Sequence, residues 1–480
     1  MDKGLISGFR DIVGSNYCLY DIHDLYAYSY DSTPLFHAMP DLVLMPSCTE
    51  EVSEIMKIAN KNRIPIVSRG SGTNLSGGTV PLEGGIVLNM LRMNGMREID
   101  QENLTCTFGP GIITAKVHQE VEALGLFYPP DPGSMKISTM GGNVSECAGG
   151  MRGLKYGVTK DYILGLEAVL PSGEVIRVGG KNAKDVAGYD ITKLLVGSEG
   201  TLACITEIIA KLLPLPEAKQ TMVVYFHTLT SAALSVQNII AKKIIPASIE
   251  FLDQATMEVV EAYAHIGLPS DMRAMLIIEQ DGPESVVAHD IEKMKEICLK
   301  QGAVEVQIAQ TKEEANNLMA ARRSALSALA RKKPTTILED ATVPRASLAQ
   351  MVERIEAVAK KYQVEICTFG HAGDGNLHPT CLTDERNHEE IERVEAAFAE
   401  IFDSAIRLGG TITGEHGVGI GKAKYLETRF NPATIELMKR VKNAFDPHGI
   451  MNPGKIFAKS NRRRVVVSHV CGCERANEIR

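Results

Sequence analysis

The sequence predicts a two-domain protein of mixed helix and sheet, and three observations predict it. Short apolar strands alternate with helical patterns over residues 41–214 and again from 222 onward. Pro214 and Pro216 interrupt that alternation and mark a boundary. Glycine-rich segments crowd the first half, and paired histidine motifs close the second. With 480 residues the chain has room for two large domains or three small ones, and 44% hydrophobic content is ample for their cores.

Residues 1–40 read as a helical lead-in with a tyrosine-rich patch from Tyr17 to Tyr30. The first domain, 41–217, opens on a strand at 42–45. A helix follows from a capping box, Ser47-x-x-Glu50, and Val52, Ile55, Met56 and Ala59 recur on one face of it. A buried strand at 64–67 runs into a glycine loop, and another strand spans 85–89. A second helix, 113–124, turns Val117, Val121 and Leu124 inward and stops at Gly125. Residues 218–457 form the second domain. Strands at 222–226, 248–252 and 273–280 alternate there with helices, one of them at 230–242, and a further strand spans 364–369. The helix at 388–408 carries Ile391, Val394, Phe398, Ile401 and Phe402 on a broad apolar face and ends at Gly409-Gly410. The tail, 458–480, changes character. It holds Arg462-Arg463-Arg464, three valines and Cys471-Gly472-Cys473, either a redox or metal contact or a disordered terminus.

The most informative motif is His371-Ala-Gly-Asp-Gly-Asn376-Leu-His378, followed further on by Gly414-Glu415-His416-Gly417. Two imidazoles and a carboxylate suit zinc, manganese or ferrous iron. In a regular strand the two histidines would point to opposite faces. A helix would align them, but Gly373, Asp374, Gly375 and Asn376 disfavour one. The spacing therefore predicts a strand end and a tight turn that brings the second histidine back to the first. Glu415 and His416 are neighbours, so their side chains diverge, and one can join a metal while the other faces a reactant. The bland alternative is a structural metal site or two ordinary loop histidines. Glycine-rich, charged loops are poor structural cement, which favours the functional reading.

Upstream, Arg69-Gly70-Ser71-Gly72-Thr73-Asn74-Leu75-Ser76-Gly77-Gly78 follows a buried strand. Such a loop offers successive backbone N–H groups to a diphosphate. It is not a Rossmann fingerprint, because Leu75 stands where the third glycine would fall, and no Lys-Ser/Thr makes it a Walker A loop. Two further glycine-rich segments, Met140-Gly141-Gly142-Asn143 to Ala148-Gly149-Gly150 and Gly197-Ser198-Glu199-Gly200-Thr201, suggest a long ligand threaded past several loops. A dinucleotide has that shape.

These residues carry a resemblance. Pro46…Val52…Ile55…Ala59…Pro65…Arg69-Gly70-x-Gly72-Thr73 resembles the FAD-binding domain of the vanillyl-alcohol oxidase and p-cresol methylhydroxylase superfamily. Tyr128-Pro129-Pro130-Asp131-Pro132, Leu154-Lys155-Tyr156-Gly157, Ile205-Thr206-Glu207 and the two later glycine segments extend the likeness. The histidine motifs, closed by Asn452-Pro453-Gly454-Lys455, resemble one branch, the D-2-hydroxyacid dehydrogenases that include glycolate oxidase flavoprotein subunits and D-lactate dehydrogenases. The resemblance implies an α+β fold, with a two-subdomain FAD-binding domain of the p-cresol methylhydroxylase type followed by a ferredoxin-like antiparallel-sheet substrate domain. It implies FAD contacts from Arg69, Gly70, Ser71, Gly72, Thr73, Asn74 and Ser76 in the first loop. Pro130, Asp131, Thr139, Gly142, Asn143, Gly149 and Gly157 would add to them, as would Glu199, Gly200, Ile205 and Asn452. Some relatives attach FAD through a histidine in the first loop; Thr73-Asn74 stands there, so noncovalent FAD is expected.

The resemblance further implies a divalent ion, Zn, Mn or Fe, on His371, His378 and Glu415, with Asn376 hydrogen-bonding substrate or flavin. Leu318-Met319-Ala320-Ala321-Arg322 matches the segment bearing a substrate arginine, although Met319 replaces the usual Trp. Arg322 on a solvated helix face is the competing reading. Relatives acting on larger diacids place a Lys before Asp340. Here Leu338-Glu339 stands there and Leu326 replaces a hydroxyl residue, which favours glycolate or D-lactate over 2-hydroxyglutarate.

A 2-hydroxy acid would chelate the metal through its carboxylate and hydroxyl, making the hydroxyl more acidic. His416 is then the expected base, while Cα–H leaves as hydride to flavin N5. The lack of Trp leaves Tyr or Phe to stack on the flavin, if anything does. Net charge of −8 argues against a nucleic-acid partner. No run of 18 apolar residues predicts a spanning helix, the N-terminus lacks a signal core, and ten unevenly spaced cysteines read as reduced. The expectation is a cytoplasmic enzyme, reaching a membrane only through a partner. Iron–sulfur spacing is absent, so electrons are expected to pass to a protein acceptor such as an iron–sulfur subunit or an electron-transfer flavoprotein. Three competing functions are a non-redox flavin-dependent transferase of the same superfamily, a metal hydrolase without FAD, and a non-catalytic FAD electron-transfer subunit.

Overall fold

Four sheets organise residues 1–457, which the computed structural model describes; Cys471 and Cys473 lie outside the described residues. The first is small and mostly parallel. Leu42–Leu44 and Ile66–Arg69 flank Ile86–Asn89, and Cys18–Leu19 adds an antiparallel edge. A parallel pair needs a crossover, supplied here by the helix Thr49–Asn62, which buries Val52, Ile55, Met56 and Ala59 as its periodicity predicts. Its N-terminus corrects one expectation. The cap residue is Cys48 and makes no side-chain cap bond, while Ser47 pairs with Glu51, not Glu50: its N–H donates at 2.7 Å and its hydroxyl at 2.9 Å. The lead-in is also less helical than expected, because it gives this sheet its edge strand.

The second sheet is antiparallel, in the order Met96–Asp100, Thr105–Phe108, Cys204–Lys211, Ile163–Val169 and Val175–Gly179. Val117 and Val121 of the helix Thr114–Glu122 pack on it. Leu124, expected inward, is 44% exposed because the helix ends before it. The segment starting Met140-Gly141-Gly142 is not a loop but the helix Met140–Glu146. Thr139 caps it, its Oγ1 accepting the Gly142 N–H at 3.3 Å. Two glycines cost little in a first turn whose N–H groups lack intrahelical partners anyway. Leu126–Phe127 and Leu213–Pro214 form a two-stranded sheet.

The largest sheet has eight antiparallel strands. Its main path runs Ala303–Ile308, Ala218–Phe226, Ala274–Gly282, Ser248–Asp253, Glu365–His371, Asn376–Thr383 and Thr335–Leu338, and Ala341–Thr342 pairs with Asn376–Thr383. Alternation explains why both faces are covered. Met222, Val224 and Phe226 point into one core, with the helices Leu229–Ala241, Glu284–Lys300, Leu348–Tyr362 and His388–Arg407. Val223 and Tyr225 point into another, with Met257, Val260, Met319 and Phe369. That second face looks toward the first domain.

The chain finally returns to its beginning. Ile66 N–H donates to Ile450 O at 2.8 Å, Asn452 N–H donates to Ile66 O at 2.7 Å, and Ile450 and Met451 join the core of the parallel sheet. No helix among the described residues is long and apolar enough to cross a membrane.

Candidate active site

The glycine segments and the histidine motifs open onto one cavity of about 1190 Å³. One wall is the loop after Ile66–Arg69, the first turn of Met140–Glu146, and Glu199-Gly200. Helix N-termini and glycine loops are anion-binding elements, so this wall suits a diphosphate. Arg69 buttresses it from behind, donating from Nη1 to Tyr30 O at 2.6 Å and to Thr79 Oγ1 at 3.3 Å. The far wall is the large sheet, with Leu338, Phe369, Arg322 and the histidine centre.

A hairpin builds that centre. The strand ends at His371, residues 372–375 turn with Gly375 at φ +87°, and Asn376–Thr383 returns with His378 opposite Phe369. The turn cancels the half-period of a seven-residue spacing, so both rings reach one face. Their centroids are 5.1 Å apart. Each Nε2 converges on Glu415 Oε1, at 3.2 Å from His371 and 3.3 Å from His378. Each Nδ1 meets a buried carboxylate: Glu250 Oε1 at 2.7 Å for His371 and Asp340 Oδ1 at 3.0 Å for His378. A carboxylate on Nδ1 holds the proton there and leaves the Nε2 lone pair for a metal.

The electrostatics fit a cation. Glu250, Asp340, Glu415 and Asp374 crowd two imidazoles in a buried space. Burial alone would lower the His371 pKa, yet the flanking Glu250 and Glu415 raise it well above the usual range. Burial raises Asp374 to about 6. Surplus negative charge around convergent ring nitrogens suits a divalent ion: donor atoms of Asp340, His378, Glu415 and His416 all lie within 4.8 Å of one another, and His371 Nε2 also reaches Glu415 Oε1. Glu415 also reaches the glycine wall, since a Cβ on Gly149 would lie 2.5 Å from its Oε2.

His416 stacks on His378, ring centroids 5.1 Å apart. Its Nδ1 lies 3.0 Å from Asp340 Oδ1 without making a hydrogen bond. Burial lowers its pKa to about 4, so the ring is neutral, which differs from the near-neutral titration its residue type suggests. Arg322 is buried, not solvated. It pairs with Glu250 Oε2 at 2.7 Å, lies over Phe369, and leaves Nε without a hydrogen bond.

The cavity brings together Arg69, Gly70, Ser71, Gly72, Thr73, Asn74, Thr139, Gly142, Asn143, Gly149, Glu199, Gly200 and Ile205 with His371, His378, Glu415, His416 and Arg322. Six expected residues stand behind its surface. Asn376 Oδ1 accepts from Thr342 Oγ1 at 2.8 Å and its amide packs against Gly414, so it braces that loop. Asp131 pairs with Arg152 and Arg323, and Pro130 O meets His118 Nε2 at 2.9 Å. Gly157 turns the chain beside Asp161. Ser76 O accepts from Ile420 and Gly421. Asn452 Nδ2 bridges Gly78 O at 2.9 Å and Glu199 O at 2.7 Å. Asn452 thereby ties two cavity segments together.

Two further residues of the centre, Glu250 and Asp340, carry no motif in the sequence. Glu250 is the direct cross-strand neighbour of His371. Asp340 sits in the break between Thr335–Leu338 and Ala341–Thr342, and its Oδ2 accepts from Thr413 Oγ1 and from the N–H groups of Gly414, Glu415 and His416 at 2.9–3.2 Å. The available signal was a lone acid flanked by Ile249 and Phe251, which needs a buried partner.

Comparison with known proteins agrees. The FAD binding domain family matches residues 40–179, and the family of FAD linked oxidases, C-terminal domain, matches residues 215–456. Glycolate oxidase subunit GlcD of Bacillus subtilis is 62% identical over 92% of this chain and 93% of its own length. D-lactate dehydrogenase of Archaeoglobus fulgidus is 37% identical over 90% of this chain and 96% of its own length. Among solved structures, p-cresol methylhydroxylase with substrate bound superimposes with a TM-score of 0.79 at 17% identity, covering 96% of this chain and 99% of that one. Alkyldihydroxyacetonephosphate synthase does so at 0.75 and 21%, covering 94% and 86%. These two show the fold alone. Most of the cavity's glycine wall falls within the matched FAD binding domain, and the chain belongs to the FAD-linked oxidases as an FAD-dependent oxidoreductase.

Proposed function

We propose that the chain oxidises a small D-2-hydroxy acid, glycolate or D-lactate, to the 2-oxo acid and passes the electrons to a protein partner. The observation that carries this reading is the convergence of His371 Nε2 and His378 Nε2 on Glu415 Oε1 at the end of the FAD cavity. When bound, noncovalent FAD supplies the two-electron acceptor, and a divalent ion on His371, His378 and Glu415 supplies Lewis acidity at the substrate's carboxylate and hydroxyl.

The chain's own residues do the rest. Arg322 directs its unpaired Nε–H to the substrate carboxylate from a buried position, where a charge-assisted hydrogen bond is strong. His416 takes the hydroxyl proton at Nε2. Asp340 Oδ1, 3.0 Å from Nδ1, stabilises the ring once it is charged. Leu326 and Leu338 line the cavity and offer a second carboxylate no partner of their own, which favours a small monocarboxylate. The Bacillus relative is named as a subunit, which supports a protein electron acceptor.

Anaerobic mixing with D- and L-2-hydroxy acids tests this reading. Glycolate and D-lactate should bleach the flavin absorbance, and L-lactate and 2-hydroxyglutarate should do so far more slowly. A flavin that no hydroxy acid bleaches would favour the non-redox transferase or the electron-transfer subunit.

A further inference from the structure

Glu250 is fully buried on the central strand Ser248–Asp253, directly across from His371. A buried carboxylate needs partners, and this one divides its two oxygens between two residues. Oε1 takes the Nδ1 hydrogen of His371 at 2.7 Å, which leaves Nε2 turned to Glu415. Oε2 lies 2.7 Å from Arg322 Nη2, close enough for an ion pair but not aligned for a hydrogen bond. Burial would raise the Glu250 carboxyl, yet His371 and Arg322 draw it below its usual range, so it stays ionised.

Arg322 is the less settled of the two partners. Its Nε and Nη2 are buried without an acceptor, although the residue lines the cavity and lays its guanidinium 4.8 Å from the ring centre of Phe369. Glu250 therefore gives Arg322 a counter-charge but no hydrogen bond. An incoming carboxylate would give it both. One negative charge thus acts in opposite senses on its two sides. It favours a cation at His371, and it weakens the pull of Arg322 on an anion.

We propose that Glu250 is a positioning residue that couples the two halves of the centre, orienting His371 for the metal through one oxygen and restraining Arg322 through the other. The proposal rests on the reading of His371 as a metal ligand and Arg322 as the substrate arginine. Its consequence is a pair of opposed affinities. The centre holds its cation more tightly, and its organic anion less tightly, than the same site with a neutral side chain at position 250. A moderated grip on the carboxylate also lets the oxo acid leave, since equal binding of every bound state would not speed the reaction.

Two titrations of the FAD-loaded, metal-free protein test this without turnover. One adds Mn²⁺, and the other adds pyruvate, the oxo acid that D-lactate would give, which cannot reduce the flavin. E250Q keeps the side chain's size and removes its charge. It should weaken Mn²⁺ binding roughly 10- to 100-fold, the usual effect of losing the partner behind a metal-ligating histidine, and it should tighten pyruvate binding. A residue that only supported the fold would weaken both or neither, and either result overturns the coupling. A wild type that binds no Mn²⁺ overturns the metal reading and the coupling with it, whereas wild-type binding left unmoved in E250Q overturns the coupling alone. If E250Q does not fold, R322M approaches from the other side: Mn²⁺ affinity should hold or rise while pyruvate affinity falls, and a joint fall refutes the proposal.

Discussion

Asp340 organises the site through its two oxygens. Burial would raise its pKa, but the neighbouring His416 ring, the Lys422 ammonium and the bond to His378 hold it well below the usual carboxylate range. One oxygen faces the Nδ1 atoms of His378 and His416, and the other gathers the N–H groups of the loop that carries Glu415. The histidines were legible in the sequence because their spacing and glycines carry a geometric signal. Glu250 was not, because its role depends on which strand lies beside it, and pairing across 121 residues leaves no local trace. For His416 the expected outcome is sharp. His416→Gln should keep FAD and metal, yet slow flavin reduction by roughly 10²–10⁴-fold, the usual contribution of a positioned base. Stopped-flow reduction with protiated and Cα-deuterated substrate, metal content verified, checks it. A wild-type rate would reduce His416 to a lining residue.

At the scale of elements, periodicity was informative and local capping was not. Strand alternation and the apolar faces of Thr49–Asn62 and His388–Arg407 appear as read, because burial depends on the repeat and not on any one residue. The glycine-led helix Met140–Glu146 was hidden, since Gly-Gly reads as loop unless the Thr139 cap and the packing of Met140 and Val144 are known. The turn after His371 was legible because four consecutive turn formers admit little else. Two glycines separate strain from contact. Gly72 and Gly125 both sit at φ +72°; a Cβ on Gly72 would lie 2.2 Å from Arg69 Nη2, whereas one on Gly125 meets nothing within 4 Å. Gly125→Ala should therefore cost only backbone strain, about 1 kcal/mol, with FAD retained. Gly72→Val adds a displaced Arg69 and should lose FAD. Thermal unfolding and flavin content of the purified variants decide this, and a Gly72→Val protein with full flavin would contradict it.

Over the whole molecule, the site exists because two unlike sheets face each other across the glycine-walled cavity. The first domain supplies amides and glycine turns, the second supplies carboxylates and imidazoles, and residues 450–452 fasten the far end of the chain to the first sheet. That return was not legible, since nothing in Ile450-Met451-Asn452 signals pairing with Ile66, some 380 positions away. The two chemistries were legible separately; only the fold shows that Gly149 touches Glu415 and that Glu199 grips the loop after His416. Metal removal tests their coupling. The FAD-loaded protein is stripped with a chelator, checked by elemental analysis, and mixed anaerobically with glycolate or D-lactate before and after metal is restored. The flavin should stay bound throughout, bleach with metal present, remain oxidised without it, and bleach again on restoration. Bleaching at an undiminished rate in the metal-free protein would contradict a metal-assisted oxidation at His371, His378 and Glu415.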